Sequence, residues 1–307
     1  MVKPMEFIWM DGKLVPWSEA NVHVMTHSLH YGMGVFEGIR SYRCADGRFA
    51  IFRLNSHLNR LFESAAIVEI IKIPYTYSEL EKAVIETAQA NKLGEGYIRP
   101  LVVLGEGNMG PLSKDNPVRV FIIPWKWGRY LGRDALDRGI SVSISKWRRA
   151  NSVLPFQAKI TGHYVNAAVA RRDAEKAGFD EAIIKDESGY IIEGSAENIF
   201  IVKDDILMTP NSRSPILRGI TRDSIICLAK DSGMKVEEVY IREEDLSDAD
   251  EAFLAGTAAE VTPIKNIGEI FVGTACPGPV TEKLQALYFQ TVRGELSDKR
   301  HWLTYID

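Results

Sequence analysis

Two spacings of apolar residues alternate along this chain, and together they predict a mixture of hairpins and helices. Phe7-Ile8-Trp9-Met10 and Lys13-Leu14-Val15 flank Asp11-Gly12 and read as a hairpin with a two-residue turn. Val35 to Tyr42 and Arg48 to Phe52 read as two further strands around Asp46-Gly47. Leu58, Leu61, Phe62, Ala65 and Ala66 recur at helical spacing and predict a helix from Ser56 to about Ile70. A second helix opens at Ser78, where Ser78-Glu79-Leu80-Glu81 reads as a capping box, and stops near Gly94. Tyr97 to Leu104 and Val118 to Pro124 are apolar strands on either side of a loop, 105–117.

Strand character lapses from Trp127 to Gly139, which marks an interdomain connection. It resumes at Ile140 to Ser145, followed by a polar loop from Asn151 to Gln157. A helix from about Gly162 to Ala177 is closed by Gly178. Glu181 to Lys185 and Tyr190 to Lys203 pair around Glu187-Ser188-Gly189. Thr221 to Asp231 is helical and ends at Gly233, and Glu251 to Ala255 is a strand running into Gly256-Thr257-Ala258-Ala259. Hairpins with scattered helices predict α+β architecture, not a regular βαβ alternation. The expected division is 1–126, a connection at 127–139, and 140–307.

The length of 307 residues suits one large or two medium domains. A net charge of −4 argues against a nucleic-acid partner. The basic-aromatic runs Lys126-Trp127-Gly128-Arg129-Tyr130 and Lys146-Trp147-Arg148-Arg149 read as solvated faces or pocket edges. Cys44, Cys227 and Cys276 imply no disulfide framework and a reducing compartment. With no signal peptide or membrane span visible, the expected location is the cytoplasm.

Lys159 follows the mostly apolar Pro155-Phe156-Gln157-Ala158 and precedes a helix start, so its amine is partly desolvated and available as a nucleophile. Glu193 ends the run Tyr190-Ile191-Ile192, where a carboxylate is costly unless it meets a positive partner. Either that partner is a protonated ring nitrogen or an arginine, or Glu193 turns out to solvent. Leu217-Arg218-Gly219-Ile220-Thr221-Arg222-Asp223 is a glycine turn opening a helix, and such ends attract anions. Thr221 adds its hydroxyl, and Arg60 with Thr257 complete an anion cradle. A lysine, a carboxylate and an anion anchor are what pyridoxal phosphate requires for its Schiff base, its ring nitrogen and its phosphate. Tyr164 is placed to bond the cofactor's phenolic oxygen.

The chain resembles the branched-chain amino-acid aminotransferases, within the class IV group, at Tyr31-Gly32, Val35-Phe36-Glu37-Gly38-Ile39-Arg40, Tyr97-Ile98-Arg99-Pro100 and Lys159. The resemblance continues through Glu193-Gly194-Ser195-Ala196-Glu197-Asn198, Gly219-Ile220-Thr221-Arg222 and Gly256-Thr257-Ala258-Ala259-Glu260. It implies the type IV fold of pyridoxal phosphate enzymes, with a small α/β domain and a larger pseudo-barrel domain. It also implies a homodimer, or a higher homo-oligomer, with shared active sites. The implied reaction exchanges the amino group of leucine, isoleucine or valine with 2-oxoglutarate, by way of Lys159 as general base and acid.

The same resemblance puts Tyr31, Phe36, Trp127 and Tyr130 on the apolar walls, beside Gly38. It makes Arg99 the cation for glutamate's distal carboxylate. Tyr97 and the backbone of Gly256, Thr257 and Ala258 hold the α-carboxylate. Leu217, Gly219 and Ile220 serve the phosphate, Asn198 bonds backbone near the lysine, and Glu197 has no assigned role. His163 and Ala167 depart from the pattern, which has asparagine and serine there. A D-amino-acid aminotransferase or an aminodeoxychorismate-type lyase on the same scaffold is the first rival, and a non-catalytic binding protein the second. His23, His27 and His30 have a spacing that invites a metal, but no cysteine or carboxylate completes a set, so no metal is expected.

Overall fold

Asp11 and Gly12 both take positive φ, 48° and 98°, which is what a two-residue hairpin turn demands. The hairpin they close, β1 (Phe7–Met10) with β2 (Lys13–Pro16), opens the computed structural model. The structure describes residues 3–69, 71–128, 131, 134–150 and 155–306. A short helix α1 (His27–Tyr31) leads into β3 (Gly34–Phe36), β4 (Ile39–Arg43) and β5 (Phe49–Phe52). Helices α2 (Leu54–Val68) and α3 (Tyr77–Ala90) precede β6 (Gly96–Leu104) and β7 (Val118–Trp125).

Next come α4 (Ala135–Arg138), β8 (Ile140–Arg149), α5 (Tyr164–Lys176), β9 (Glu181–Asp186), β10 (Ile191–Gly194), β11 (Asn198–Lys203) and β12 (Ile206–Pro210). The chain ends through α6 (Ile220–Asp231), β13 (Lys235–Val239), α7 (Glu243–Ser247), β14 (Glu251–Gly256), β15 (Glu260–Ile267), β16 (Ile270–Phe271), α8 (Pro279–Val292) and β17 (Leu303–Tyr305).

The chain divides into two units by contact. The first is Met1–Gly128 with Ala158–His163 and Gln290–Asp307, and the second is Arg129–Gln157 with Tyr164–Phe289. In the first unit one sheet runs β17-β5-β4-β6-β7-β1-β2, with β3 also on β6. Its core packs Leu54, Leu58, Leu61 and Ala65 of α2 and Leu80 and Val84 of α3 against Ile39, Ile51, Ile98 and Ile122 of the sheet. In the second unit β10, β9, β8, β15, β14 and β11 pair in sequence, and β10 pairs back onto β11, so six strands close into a ring. Closing a sheet on itself removes its edges and produces a barrel. Ile140, Val142, Ile183, Ile199, Leu254 and Ile264 help fill its core.

Three expectations are revised. The strand expected over Val35–Tyr42 is two strands, because the chain turns at Glu37-Gly38 to bury the Glu37 carboxylate. The strand expected over Tyr190–Lys203 likewise breaks between β10 and β11. The capping box lies two residues earlier than expected: Thr76 Oγ1 accepts from Glu79 N at 3.3 Å, and Glu79 Oε2 accepts from Thr76 N at 2.7 Å. Thr76-Tyr77-Ser78-Glu79 and Ser78-Glu79-Leu80-Glu81 both fit the motif, and the earlier pair satisfies it.

Candidate active site

In the first unit the Lys159 backbone is tied in on both sides. Its N–H donates to Ser64 Oγ at 3.0 Å, its carbonyl accepts from Phe36 N at 3.1 Å, and Ile160 bridges to Val35. The ammonium lies 4.9 Å from the centre of the Phe36 ring. Gly32 and Gly162 meet beside it: a Cβ on Gly32 would stand 2.9 Å from Gly162 Cα, and Gly162 N donates to Gly32 O at 3.0 Å.

Next to this segment lies a buried trio: sequence reasoning named Arg60 as an anion ligand but missed its pairing with Glu37 and the part played by His57. Arg60 Nε and Nη2 donate to the Glu37 carboxylate at 2.7 and 2.8 Å, and His57 Nδ1 stands 2.7 Å from Glu37 Oε2. Burial alone would raise the Glu37 pKa, but Arg60 and His57 hold it well below the usual carboxylate range. Burial lowers the His57 pKa against the pull of Glu37, and the charges of Arg60 and Lys159 lower it further. Arg60 therefore presents a cation fixed in a bidentate pair. The signal was legible in part, since His57 and Arg60 share one face of α2 at three-residue spacing.

Tyr97 and Arg99 do share a face of β6. The guanidinium of Arg99 lies 5.0 Å from the Phe36 ring centre, 5.5 Å from Tyr97 and 5.2 Å from Trp125. Arg99 Nη2 lies 3.5 Å from the Tyr97 hydroxyl, whereas its buried Nε has no hydrogen-bond partner among the described residues. A cation among ring faces, with an orphaned donor, fits an incoming carboxylate. Trp127 joins Tyr97 edge-on at 4.8 Å, and Trp125, which sequence reasoning missed, lies 4.7 Å from Tyr97. Gly38 is required here, because a Cβ would stand 1.8 Å from the Tyr97 hydroxyl. Tyr31 is 42% exposed, and its ring neighbours among the described residues are His27 and His30. Tyr130 lies outside the described residues. His27 and His30 bond the backbone carbonyls of Gly110 and Val24 at 2.7 and 2.8 Å, and His23 faces Glu106 at 3.5 Å.

In the second unit Glu193 sits at the seam of the strand ring, opposite both Ile184 of β9 and Asn198 of β11. Its buried carboxylate accepts from Arg149 Nη1 through Oε1, and from Asn198 Nδ2 and Leu217 N through Oε2, both at 3.2 Å. The arginine that sequence reasoning set against a ring nitrogen is therefore present. A carboxylate offers about four acceptor sites, and three are used by the described residues. One remains for a further donor such as a ring N–H, so the residues fit the group.

Asn198 Nδ2 also donates to Leu217 O at 2.9 Å. It thus ties the strand to the loop before α6, where backbone beside the lysine was expected. That loop ends at Gly219, which caps α6 without a side-chain bond and comes so close to Asn198 that a Cβ would stand 2.0 Å from its Oδ1. Ile220 and Thr221 are buried in the first turn of α6, where N–H groups lack helical partners. Arg222 is used structurally: its Nη2 donates to Pro210 O at 2.8 Å and to Glu238 at 2.7 Å. Tyr164 is half-buried as the first residue of α5. Ala167 is buried on the same helix. His163 N donates to Ile160 O at 3.2 Å in the preceding turn, within the first unit. Thr257 and Ala258 form the turn joining β14 to β15, where Gly256 pairs with Glu260. Of the remaining basic run, Lys146 pairs with Asp173 at 3.0 Å and Arg148 donates to Glu187 O at 3.2 Å.

Comparison with known proteins gives a consistent answer. The model of the family described as amino-transferase class IV matches residues 34–267. A branched-chain-amino-acid aminotransferase of Pseudomonas aeruginosa is 45% identical over 300 residues, 97% of each chain. The crystal structure of the Escherichia coli branched-chain amino acid aminotransferase superposes with a TM-score of 0.95 at 41% identity, covering 99% of this chain and 100% of that one. The Thermobaculum terrenum branched-chain amino acid aminotransferase, in its PLP-form, gives 0.92 at 33% identity, with 99% of both chains covered. Mixed α+β elements, a strand ring closed at Glu193 and near-complete coverage agree: the chain belongs to the class IV aminotransferases, among the branched-chain-amino-acid aminotransferases.

Proposed function

We propose that this protein is a pyridoxal phosphate-dependent transaminase. It moves the amino group of leucine, isoleucine or valine to 2-oxoglutarate, releasing branched-chain 2-oxo acids and L-glutamate. The observation that carries this reading is the Glu193 carboxylate, buried and held by Arg149, Asn198 and the Leu217 N–H with one acceptor site remaining. Bound cofactor supplies an electron sink that accepts the charge left when the substrate's Cα loses its proton.

The protein's residues do the rest. Lys159 Nζ anchors the cofactor and then holds and moves the Cα proton. Glu193 keeps a proton at the ring nitrogen, and Tyr164 bonds the phenolic oxygen. Arg60, Thr221, Thr257 and the N–H groups at Gly219 and Ile220 receive the phosphate, while the N–H of Leu217, also expected there, serves Glu193 and Asn198 fixes the loop. Phe36, Trp127 and Tyr130 line the apolar side of the substrate space, and Gly38 leaves room for Tyr97. Arg99 receives glutamate's distal carboxylate, and Tyr97 with Gly256, Thr257 and Ala258 the α-carboxylate.

The same reading makes the protein a cytoplasmic homodimer or higher homo-oligomer, in which Tyr31 serves a neighbouring subunit's site. It is supported by the exposure of Tyr31 beside Val24, Met25 and Leu29. Among the described residues no helix is long and apolar enough to cross a membrane. The domain division in this reading is 1–126 and 140–307 about a connection at 127–139.

A parallel donor screen tests the substrate. With 2-oxoglutarate as acceptor, L-leucine, L-isoleucine and L-valine are expected to turn over, with D-alanine and aminodeoxychorismate inactive. Preference for D-alanine, or lyase activity, would overturn the reading.

A further inference from the structure

Glu197 is buried in the turn between β10 and β11, in the second unit, and has a second buried acid close enough to act on it. That acid is Glu181, at the start of β9. Glu181 is wholly buried, with Oε1 accepting from Ala182 N at 2.7 Å. Its Oε2 has no hydrogen-bond partner among the described residues, and Arg171 of α5 approaches it only to 3.5 Å. Glu197 Oε2 accepts from Ala196 N at 3.1 Å, and no cation pairs with it among the described residues. Burying two anions beside the single cation Arg171 is costlier than burying one anion and one neutral acid.

Close packing shows where Glu197 acts. A Cβ on Gly194 would stand 3.0 Å from Glu197 Oε2, and a Cβ on Gly256 3.4 Å from Glu197 Cγ. Gly194 follows Glu193, and Gly256 precedes Thr257.

The geometry points to Glu197 as a positioning residue: a neutral carboxyl that, wedged between Gly194 and Gly256, fixes Glu193 on one side and the Thr257-Ala258 turn on the other. This role rests on the cofactor-binding reading above. The charged groups that bear on Glu197 are Glu181 from β9, Glu193 from β10 and Arg171 from α5, with Arg149 of β8 already engaged by Glu193. Burial first, then the charges of Glu181 and Glu193, push the Glu197 pKa up to about 8, while the Ala196 N–H and Arg171 pull the other way. Burial raises Glu181 as well, against the Ala182 N–H, Ser195 and Arg171.

The sign follows from proton counts. Between the ordinary value of 4.5 and about 8 the folded chain binds more protons at Glu197 than the unfolded chain, so this group's stabilisation is present at low pH and lost as pH rises.

The test uses the full chain. In the cofactor-free protein at neutral pH, the infrared difference between wild type and Glu197→Gln should contain a protonated-carboxyl band that fades as pH rises through about 8. Between pH 4.5 and about 8 the thermal midpoint of wild type should fall more than that of Glu197→Gln. Glu197→Ala should weaken pyridoxal phosphate binding about tenfold, because the side chain packed against Gly194 and Gly256 is lost, and Glu197→Gln should restore it to within about threefold. An ionised Glu197 at neutral pH, a Gln variant with the wild-type pH slope, or no rescue by Gln would overturn the proposal. If wild type bound no pyridoxal phosphate, the positioning role would fall with the proposed function, while the band and the pH slope would still report the neutral carboxyl.

Discussion

Arg99 is a cation whose neighbours are rings rather than acids, and that decides what it can hold. A guanidinium among aromatic faces, with a buried Nε unpartnered among the described residues, keeps donors available for an anion. Glutamate and 2-oxoglutarate bring a distal carboxylate that leucine lacks. Arg99→Gln should therefore raise KM for 2-oxoglutarate about 10–100-fold, the equivalent of one charge-assisted hydrogen bond. The KM for leucine should move less than about threefold. Steady-state kinetics with each substrate varied decides it, and an equal loss for both would contradict the assignment.

Arg99 and Tyr97 were legible together because strand alternation puts them on one face. Trp125 was not, since it meets Tyr97 only through the pairing of β6 with β7. Glu37 was visible as part of a motif, but its partners lie on α2, and nothing local announced that its charge points inward.

Both misread strands break where a polar side chain turns into the interior. The first bends at Glu37-Gly38 and the second at Ser195-Ala196-Glu197, each between apolar runs that read as continuous. Local rules fail where the protein gives up conformational regularity for a site. β13 (Lys-Val-Glu-Glu-Val) and β15, with Pro263 inside it, lacked a clean strand pattern and went unread for that reason.

The turn into α6 is constrained in the same way. Gly219 lets Asn198 bond Leu217 and Glu193 at once, so a methyl group there forces Asn198 away. Gly219→Ala should cost about 1–3 kcal/mol of stability, the usual penalty for overpacking. In an Asn198→Ala background the same change should cost little more, because the clash partner is gone. Denaturant unfolding of the two single variants and the double variant measures this coupling. Additive costs would place the clash elsewhere.

At the scale of the molecule, each unit has its own sheet and its own core. The first draws in residues 158–163 and the C-terminal strand β17, and the second closes its strands into a ring. α+β architecture and most hairpins were legible from periodicity. Ring closure was not, because it depends on one pairing, Glu193 with Asn198, between strands that read as one.

The proposed chemistry asks one cofactor to meet both Lys159 and Glu193. The most direct measurement is borohydride reduction of the pyridoxal phosphate-loaded protein, followed by peptide mapping. A single phosphopyridoxyl group on Lys159 is the predicted result, and at cofactor about ten times the wild-type Kd about half of that labelling should be lost in Glu193→Ala, whose affinity should fall about tenfold. Labelling of another lysine, or none under saturating cofactor, would contradict it.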